Sequence, residues 1–151
     1  MNPAFCNILN SSTALQCPSE WRNYNNHCYK VMTDKVSWFT ASSRCSLRGA
    51  SLASINDRAE NNFVKLFISN YKSKIPTIWL GLHKVSGQWK WTDGSRAGYK
   101  NWVRGEPNNS KTMSSKFKGE NCAVKMYWGQ WNDIRCGNAH AYICEKPLFN
   151  N

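Results

Sequence analysis

The chain has 151 residues, with 20 lysines and arginines against 9 aspartates and glutamates and a formal net charge of +11. Its length suits one domain with an ordinary hydrophobic core, and no run approaches the ~18 apolar residues that would cross a membrane as a helix. Seven cysteines without any Cys-x₂-Cys pair argue against a zinc ribbon and favour an oxidising, extracellular setting.

Residues 1–16 are polar, with an isolated Cys6 and a glycosylation acceptor at Asn10-Ser11-Ser12, and read as an N-terminal extension. No basic segment followed by an apolar one marks an export signal. A mature secreted chain and an ectodomain cut from a membrane protein therefore read alike. Trp21 and residues 27–32 are expected strands around an Asn-rich turn (Asn23, Asn25, Asn26). Ser37 opens a first helix whose Trp38, Ala41 and Cys45 share a face. Asn56 or Asp57 starts a second, and Asp57 with Glu60 has capping-box spacing. Phe63, Val64, Phe67, Ile68 and Tyr71 form its apolar stripe, and Pro76 closes the segment.

Beyond Pro76 the run Ile78-Trp79-Leu80-Gly81-Leu82 suits a buried strand, and Gln88-Trp89-Lys90-Trp91-Thr92 alternates like a second one. Residues 94–120 carry Gly, Pro, Asn and Ser with little periodicity, a length of loop that a compact domain keeps for function. Residues 121–127, Gly129-Gln130-Trp131 and Ala141-Tyr142-Ile143-Cys144 read as closing strands. The pattern is α+β, with two helices early and strands late.

The loop and the strands after it hold the candidate site. Glu106-Pro107-Asn108, Glu120 and Trp131-Asn132-Asp133 offer carboxylate and amide oxygens, the ligands of a hard cation such as Ca²⁺, which takes six to eight. Five side chains plus the Asp133 carbonyl leave about two places open, enough for two neighbouring sugar hydroxyls. With calcium absent the acids repel one another, and a loop with little core of its own is expected to depend on the metal for order. The net positive charge favours polyanionic partners such as acidic glycans or microbial envelope phosphates. No nucleic-acid motif accompanies it. Catalysis by His27, His83 or His140 is disfavoured, because no nucleophile motif and no His-Glu-x-x-His occurs.

From Cys17 to Pro147 the chain resembles the carbohydrate-recognition domain of the C-type lectin family, leaving residues 148–151 as a tail. The resemblance rests on Cys17 and Cys28, Cys45, Trp79-Leu80-Gly81-Leu82, Glu106-Pro107-Asn108, Gly119-Glu120-Asn121-Cys122, Trp131-Asn132-Asp133, Cys136 and Tyr142-Ile143-Cys144, in that order. It implies two helices packed on antiparallel sheets with a long calcium-binding loop, and the disulfides Cys17–Cys28, Cys45–Cys144 and Cys122–Cys136. Cys6 is then left over, a candidate for an interchain bridge in a homodimer. The resemblance also implies that Glu106, Asn108, Glu120, Asn132 and Asp133 bind both Ca²⁺ and sugar, with Ser110 and Ile134 flanking the sugar and a cis bond before Pro107.

The Glu-Pro-Asn order resembles that of members preferring the equatorial 3- and 4-hydroxyls of mannose, fucose and N-acetylglucosamine. A single site of this kind binds weakly, so multivalency is expected to supply avidity. An alternative is a basic lectin-like domain for anionic polymers, mineral or a protein receptor. His83-Lys84-Val85-Ser86-Gly87 carries no acid, so the auxiliary calcium site of some members is expected to be missing. Residues 109–119 look longer than the usual mannose-type loop and add Lys111, Lys116 and Lys118 with Met113 and Phe117, a binding lip or a tolerated insertion. Asn108-Asn109-Ser110 also fits a glycosylation acceptor, but modification there would remove a metal ligand, which leaves Asn10 as the expected glycan site.

Overall fold

The computed structural model describes residues 15–71, 75–110 and 119–148. Strands β1 (Arg22–Tyr24) and β2 (His27–Val36) form a hairpin. Asn25 and Asn26 close it, both at positive φ, a backbone that asparagine adopts more readily than most residues. Helix α1 (Trp38–Ser46) begins where the Ser37 hydroxyl accepts the Thr40 N–H at 3.2 Å. The two-residue strand β3 (Ser51–Leu52) follows.

Helix α2 (Arg58–Ser69) is capped by Asp57, which accepts the Glu60 N–H at 2.7 Å. Glu60 returns its carboxylate to the Asn56 N–H at 2.8 Å, so the reciprocal bond falls one residue earlier than the spacing predicts. One orphan amide of the first turn, that of Glu60, and the amide just before the cap are thereby satisfied.

Strands β4 (Thr77–Val85), β5 (Gln88–Trp91), β6 (Cys122–Met126), β7 (Trp131–Ile134) and β8 (His140–Pro147) complete the chain. The sheet runs β1-β2-β8-β4-β6-β7, with β3 beside β8 and β5 beside β4. The expectation of purely antiparallel sheets needs correction, because β4 and β8 pair in parallel. The reason is the long path between them, which returns the chain to the end from which β4 started. The strand expected at residues 129–131 is also shifted. Gly129 and Gln130 belong to the turn, with Gly129 at φ 115°, and the strand carries Trp131, Asn132, Asp133 and Ile134.

Period-two alternation sends neighbouring residues of each strand into different cores. Trp79, Val124, Tyr142 and Cys144 pack with Trp38, Ala41 and Cys45 of α1. Ile78, Leu80, Ala123, Ala141 and Ile143 pack with Val64, Phe67 and Ile68 of α2. The two helices thus cover opposite faces of the sheet. Gly81 sits where the chain comes closest to itself, since a Cβ there would collide with the Leu52 carbonyl oxygen and the Thr92 hydroxyl. Its N–H donates to Ala53 and its carbonyl accepts from Thr92, so the glycine of the Trp-Leu-Gly-Leu run holds β4 against two neighbouring segments.

Disulfides join Cys17 to Cys28, Cys45 to Cys144 and Cys122 to Cys136. Cys45–Cys144 spans 99 residues and ties α1 to β8, the kind of long loop whose closure restricts the unfolded chain most, by about 4–5 kcal/mol in the chain-entropy account. Cys122–Cys136 braces the ends of β6 and β7 beside the loop.

Candidate functional site

Strand β7 is the edge strand of the sheet, and the long loop lies along it. The Trp131 N–H donates to the Asn101 carbonyl and the Val103 N–H to the Trp131 carbonyl, both at 2.8 Å, and Trp102 and Trp131 form a parallel bridge. The exposed edge is therefore covered by the chain's own backbone. Trp131 is fully buried, with the rings of Trp91, Tyr99 and Trp102 at centroid distances of 5.6, 5.7 and 5.8 Å. This corrects the expectation that the loop has little core. Its first part, including Ala97, Tyr99 and Trp102, packs on the α2-side core, and residues 106–110 make polar contacts.

Those contacts converge on Asp133, which is 0% exposed. Its Oδ1 accepts the Asn108 N–H at 3.1 Å and its Oδ2 the Asn109 N–H at 2.7 Å. Glu106 accepts the Asn108 N–H at 3.0 Å and the Asn108 side-chain amide at 3.0 Å. The Ser110 N–H is shared between Asn108 Oδ1 at 3.0 Å and Glu120 Oε1 at 2.8 Å. The Glu106–Pro107 peptide is cis, and Asn109 has φ 50°. Gly119 lets Asn109 approach, since a Cβ at 119 would overlap the Asn109 amide.

Glu106, Asn108, Glu120 and Asp133 therefore form one connected network, with Ser110 bridging two of its members. Asn132 and Asp133 are consecutive strand residues that face opposite ways, so they approach one point only off the sheet edge. On β7, Asn132 pairs with Val124 and Asp133 with Ala123, and of the two only Asp133 takes part in the hydrogen-bonded network. Ile134 pairs with Cys122 and packs against the α1-side core, which leaves it half-buried at the border of the site.

The carboxylates of this network perturb one another and are held in partly buried surroundings. Burial raises the Glu106 pKa, and the adjacent Asp133 carboxylate raises it further. Burial also raises that of Glu120, while the Ser110 N–H and the charges of Arg135 and Lys84 pull it down. The buried Oδ1 atoms of Asn132 and Asn109 have no hydrogen-bond donor, an expensive arrangement unless something electropositive reaches them. An all-oxygen donor set of carboxylates and amide oxygens fits a hard divalent ion. Among the described residues, no group of three or more His, Cys, Asp or Glu side chains is gathered so that it could hold a metal ion.

The three histidines have separate engagements. His27 Nδ1 lies 2.7 Å from Glu145 Oε1, the His83 ring packs on Trp38 at 4.5 Å, and His140 Nδ1 lies 2.6 Å from the Thr77 hydroxyl. The first belongs to a pocket that sequence reading misses. A cavity of about 120 Å³ is lined by Tyr24, His27, Tyr29, Asn56, Glu60 and Glu145, among others. The Tyr29 hydroxyl donates to Glu60 at 2.6 Å and lies 3.1 Å from Glu145. Burial, with Glu60 beside it, pushes the Glu145 pKa up to about 7. Glu145 follows Cys144 directly, and no local pattern marks a carboxylate whose partners lie 91 and 116 residues away.

Cys6, Asn10 and the Lys111, Met113, Lys116, Phe117 and Lys118 portion of the loop lie outside the described residues. No described helix is long and apolar enough to cross a membrane.

A family model for the lectin C-type domain matches residues 34–146. The chain is 34% identical over 141 residues to a C-type lectin mannose-binding isoform of Oxyuranus scutellatus, a match covering 91% of this chain and 87% of the relative. It is 36% identical over 132 residues to asialoglycoprotein receptor 2 of Mus musculus, covering 86% of this chain and 42% of the receptor. It is 29% identical over 145 residues to the galactose-specific lectin nattectin of Thalassophryne nattereri, covering 94% of this chain and 87% of that one. The chain thus spans less than half the receptor's length and most of the other two.

Among solved structures, the mouse scavenger receptor C-type lectin carbohydrate-recognition domain superposes with a TM-score of 0.76 at 35% identity, over 87% of this chain and 98% of that one. A calcium-independent type II antifreeze protein superposes with a TM-score of 0.74 at 27% identity, over 87% and 95%.

Proposed function

The chain belongs to the C-type lectin domain family, and from that premise we propose that it is a calcium-dependent lectin for mannose-type sugars acting outside the cell. Glu106, Asn108, Glu120, Asn132 and Asp133 are the residues that would hold the ion. When bound, calcium supplies open coordination places for two vicinal sugar hydroxyls. The observation carrying this reading is that Glu106 and Asp133 both accept the Asn108 N–H, at 3.0 and 3.1 Å. Two carboxylates face one another with the Glu106 pKa raised, and an Asn132 amide oxygen is buried without a donor.

The chain's own residues set the specificity. A carboxylate only accepts hydrogen bonds, whereas an amide also donates. Glu106 and Asn108 therefore present an acceptor on one side of the site and a donor on the other. That polarity suits the equatorial 3- and 4-hydroxyls of mannose, fucose or N-acetylglucosamine. Ser110, which is exposed, and Ile134 border the sugar. Three disulfides suit an extracellular site of action. A Cys6-linked homodimer would supply the avidity that one small site lacks, and the auxiliary calcium site is absent from this reading.

Exchanging the order of the pair tests the proposal. Glu106→Gln combined with Asn108→Asp is expected to reverse preference from mannose to galactose on immobilised sugars in calcium, with chelator releasing both proteins. Unchanged selectivity would show that these two residues do not choose the sugar. A second reading, a basic domain that docks on anionic polymers, mineral or a protein receptor, is favoured by the +11 charge and by likeness to a calcium-independent structure. It predicts retention that chelator does not disturb.

A further inference from the structure

Asn109 and Gly119 touch at the base of the long loop, and each stands next to a proposed calcium ligand. Asn109 follows Asn108, and Gly119 precedes Glu120. The Asn109 backbone lies in the left-handed region, at φ 50°, which asparagine enters more readily than most residues. That turn carries its N–H to Asp133 Oδ2 at 2.7 Å. Its side-chain Oδ1 is buried and accepts no hydrogen bond among the described residues. The α-carbon of Gly119 lies against it instead. A Cβ on that carbon would overlap Oδ1 and stand 2.9 Å from Cγ and 3.2 Å from Nδ2 of the same amide.

The contact joins two arms of the site. One arm is Glu106-Pro107-Asn108, held on Asp133 by the Asn108 and Asn109 N–H groups. The other is Glu120, two residues before β6 begins at Cys122. One shared donor also spans the arms: the Ser110 N–H, bonded to Asn108 Oδ1 at 3.0 Å and to Glu120 Oε1 at 2.8 Å. A residue without a side chain lets the arms close to this distance, and a methyl group would hold them apart. Calcium keeps its oxygen ligands at about 2.3–2.6 Å, so an arm displaced by about an ångström no longer reaches the ion.

We propose that Gly119 is a positioning residue of the calcium site: by carrying no side chain it lets Asn109 close against it, and that closure sets the separation of the Asn108 and Glu120 arms. The inference rests on the calcium-site reading and adds to it a residue whose side chain could ligate nothing.

Calorimetric titration with calcium alone tests it on four whole chains: native, Gly119→Ala, Asn109→Gly and the double variant. Gly119→Ala is expected to weaken calcium binding about tenfold, the lower end of what displaced outer-shell groups cost. Asn109→Gly keeps the N–H on Asp133, suits a positive φ and removes an unmet acceptor, so alone it should change the affinity by no more than about threefold. In the double variant the methyl group has room, and the affinity should return to that of Asn109→Gly. A merely structural loss at Gly119 would not show this rescue. The fitted stoichiometry separates folded fraction from affinity, so partial unfolding of one variant does not mimic weaker binding. Native affinity in Gly119→Ala would overturn the proposal, as would a double variant no tighter than Gly119→Ala. An equal loss in Asn109→Gly alone would make the amide itself a ligand and overturn it too. Native protein that takes up no calcium would overturn the calcium-site reading and this inference with it, a result told apart by the native titration alone.

Discussion

Replacing Asp133 with asparagine is expected to weaken calcium binding on the order of 100-fold, the equivalent of about 3 kcal/mol for breaking a buried charged contact. Asp133 is the hub of the site: fully buried, it accepts the N–H groups of Asn108 and Asn109 and faces Glu106. Asparagine keeps the shape but turns an NH₂ toward one of those donors and removes a charge from the ion's surroundings. Without metal the same change relieves the repulsion on Glu106, so metal-free stability should shift by no more than about 1–2 kcal/mol. The contrast is the diagnostic. Native protein should gain about 2.7 kcal/mol at calcium a hundredfold above its Kd, and Asp133→Asn should gain almost none at that concentration. Calorimetric titration with parallel thermal melts reads both quantities. An undiminished calcium affinity would remove Asp133 from the site.

The second large effect lies away from the loop. Lys125 is 0% exposed on β6, facing the α2-side core. Its ammonium donates to Asn61 Oδ1 at 3.0 Å and the Gly129 carbonyl at 2.7 Å, and no carboxylate pairs with it among the described residues. Burial, assisted by the nearby Lys65 charge, lowers its pKa from 10.5 to about 7. In the unfolded chain this lysine holds its proton up to about pH 10. Between pH 7 and 10 the unfolded state therefore binds more protons, and stability rises with pH across that window.

The penalty for burying the charge is fully present below pH 7 and amounts to something on the order of 4 kcal/mol. Glu145, raised to about 7, acts in the opposite sense: its contribution is present below about pH 4.5 and is lost as pH rises through 7. Together the two groups place a stability minimum near neutrality. Lys125→Met should flatten the alkaline limb and gain stability at pH 6. Its acceptors keep other donors, Trp131 Nε1 on Asn61 Oδ1 and the amides of Asn61 and Asn101 on Gly129. Urea unfolding of both proteins in chelator from pH 6 to 10 reads the difference. A difference that is constant across that range would mean Lys125 stays charged in the fold.

The contrast between these two sites shows what a sequence displays. Asp57, Ser37, Trp38, Ala41 and Cys45 were legible because caps and helical stripes are written within a few residues. The same holds for Glu106, Asn108, Glu120, Asn132 and Asp133 as candidates, since oxygen-bearing residues cluster in a stretch that has no periodic core pattern. What escaped were groups whose meaning comes from distant partners. Lys125 reads as a solvent-facing lysine until Asn61, 64 residues away, is seen bonding it. Glu145 takes its meaning from Tyr29 and Ser54, which bond it from far along the chain. Strand β3 is two residues long and too short to show alternation. The strand expected at Gly129-Gln130-Trp131 runs instead through Asn132 and Asp133, because polar residues at a sheet edge break the apolar pattern.

If these five residues make sugar binding depend on calcium, retention on immobilised mannose should depend on calcium too. The native chain loaded in calcium is predicted to stay bound and to elute fully with chelator, rebinding when calcium is restored. Retention that persists in chelator, or failure to bind mannose in calcium, would contradict the account.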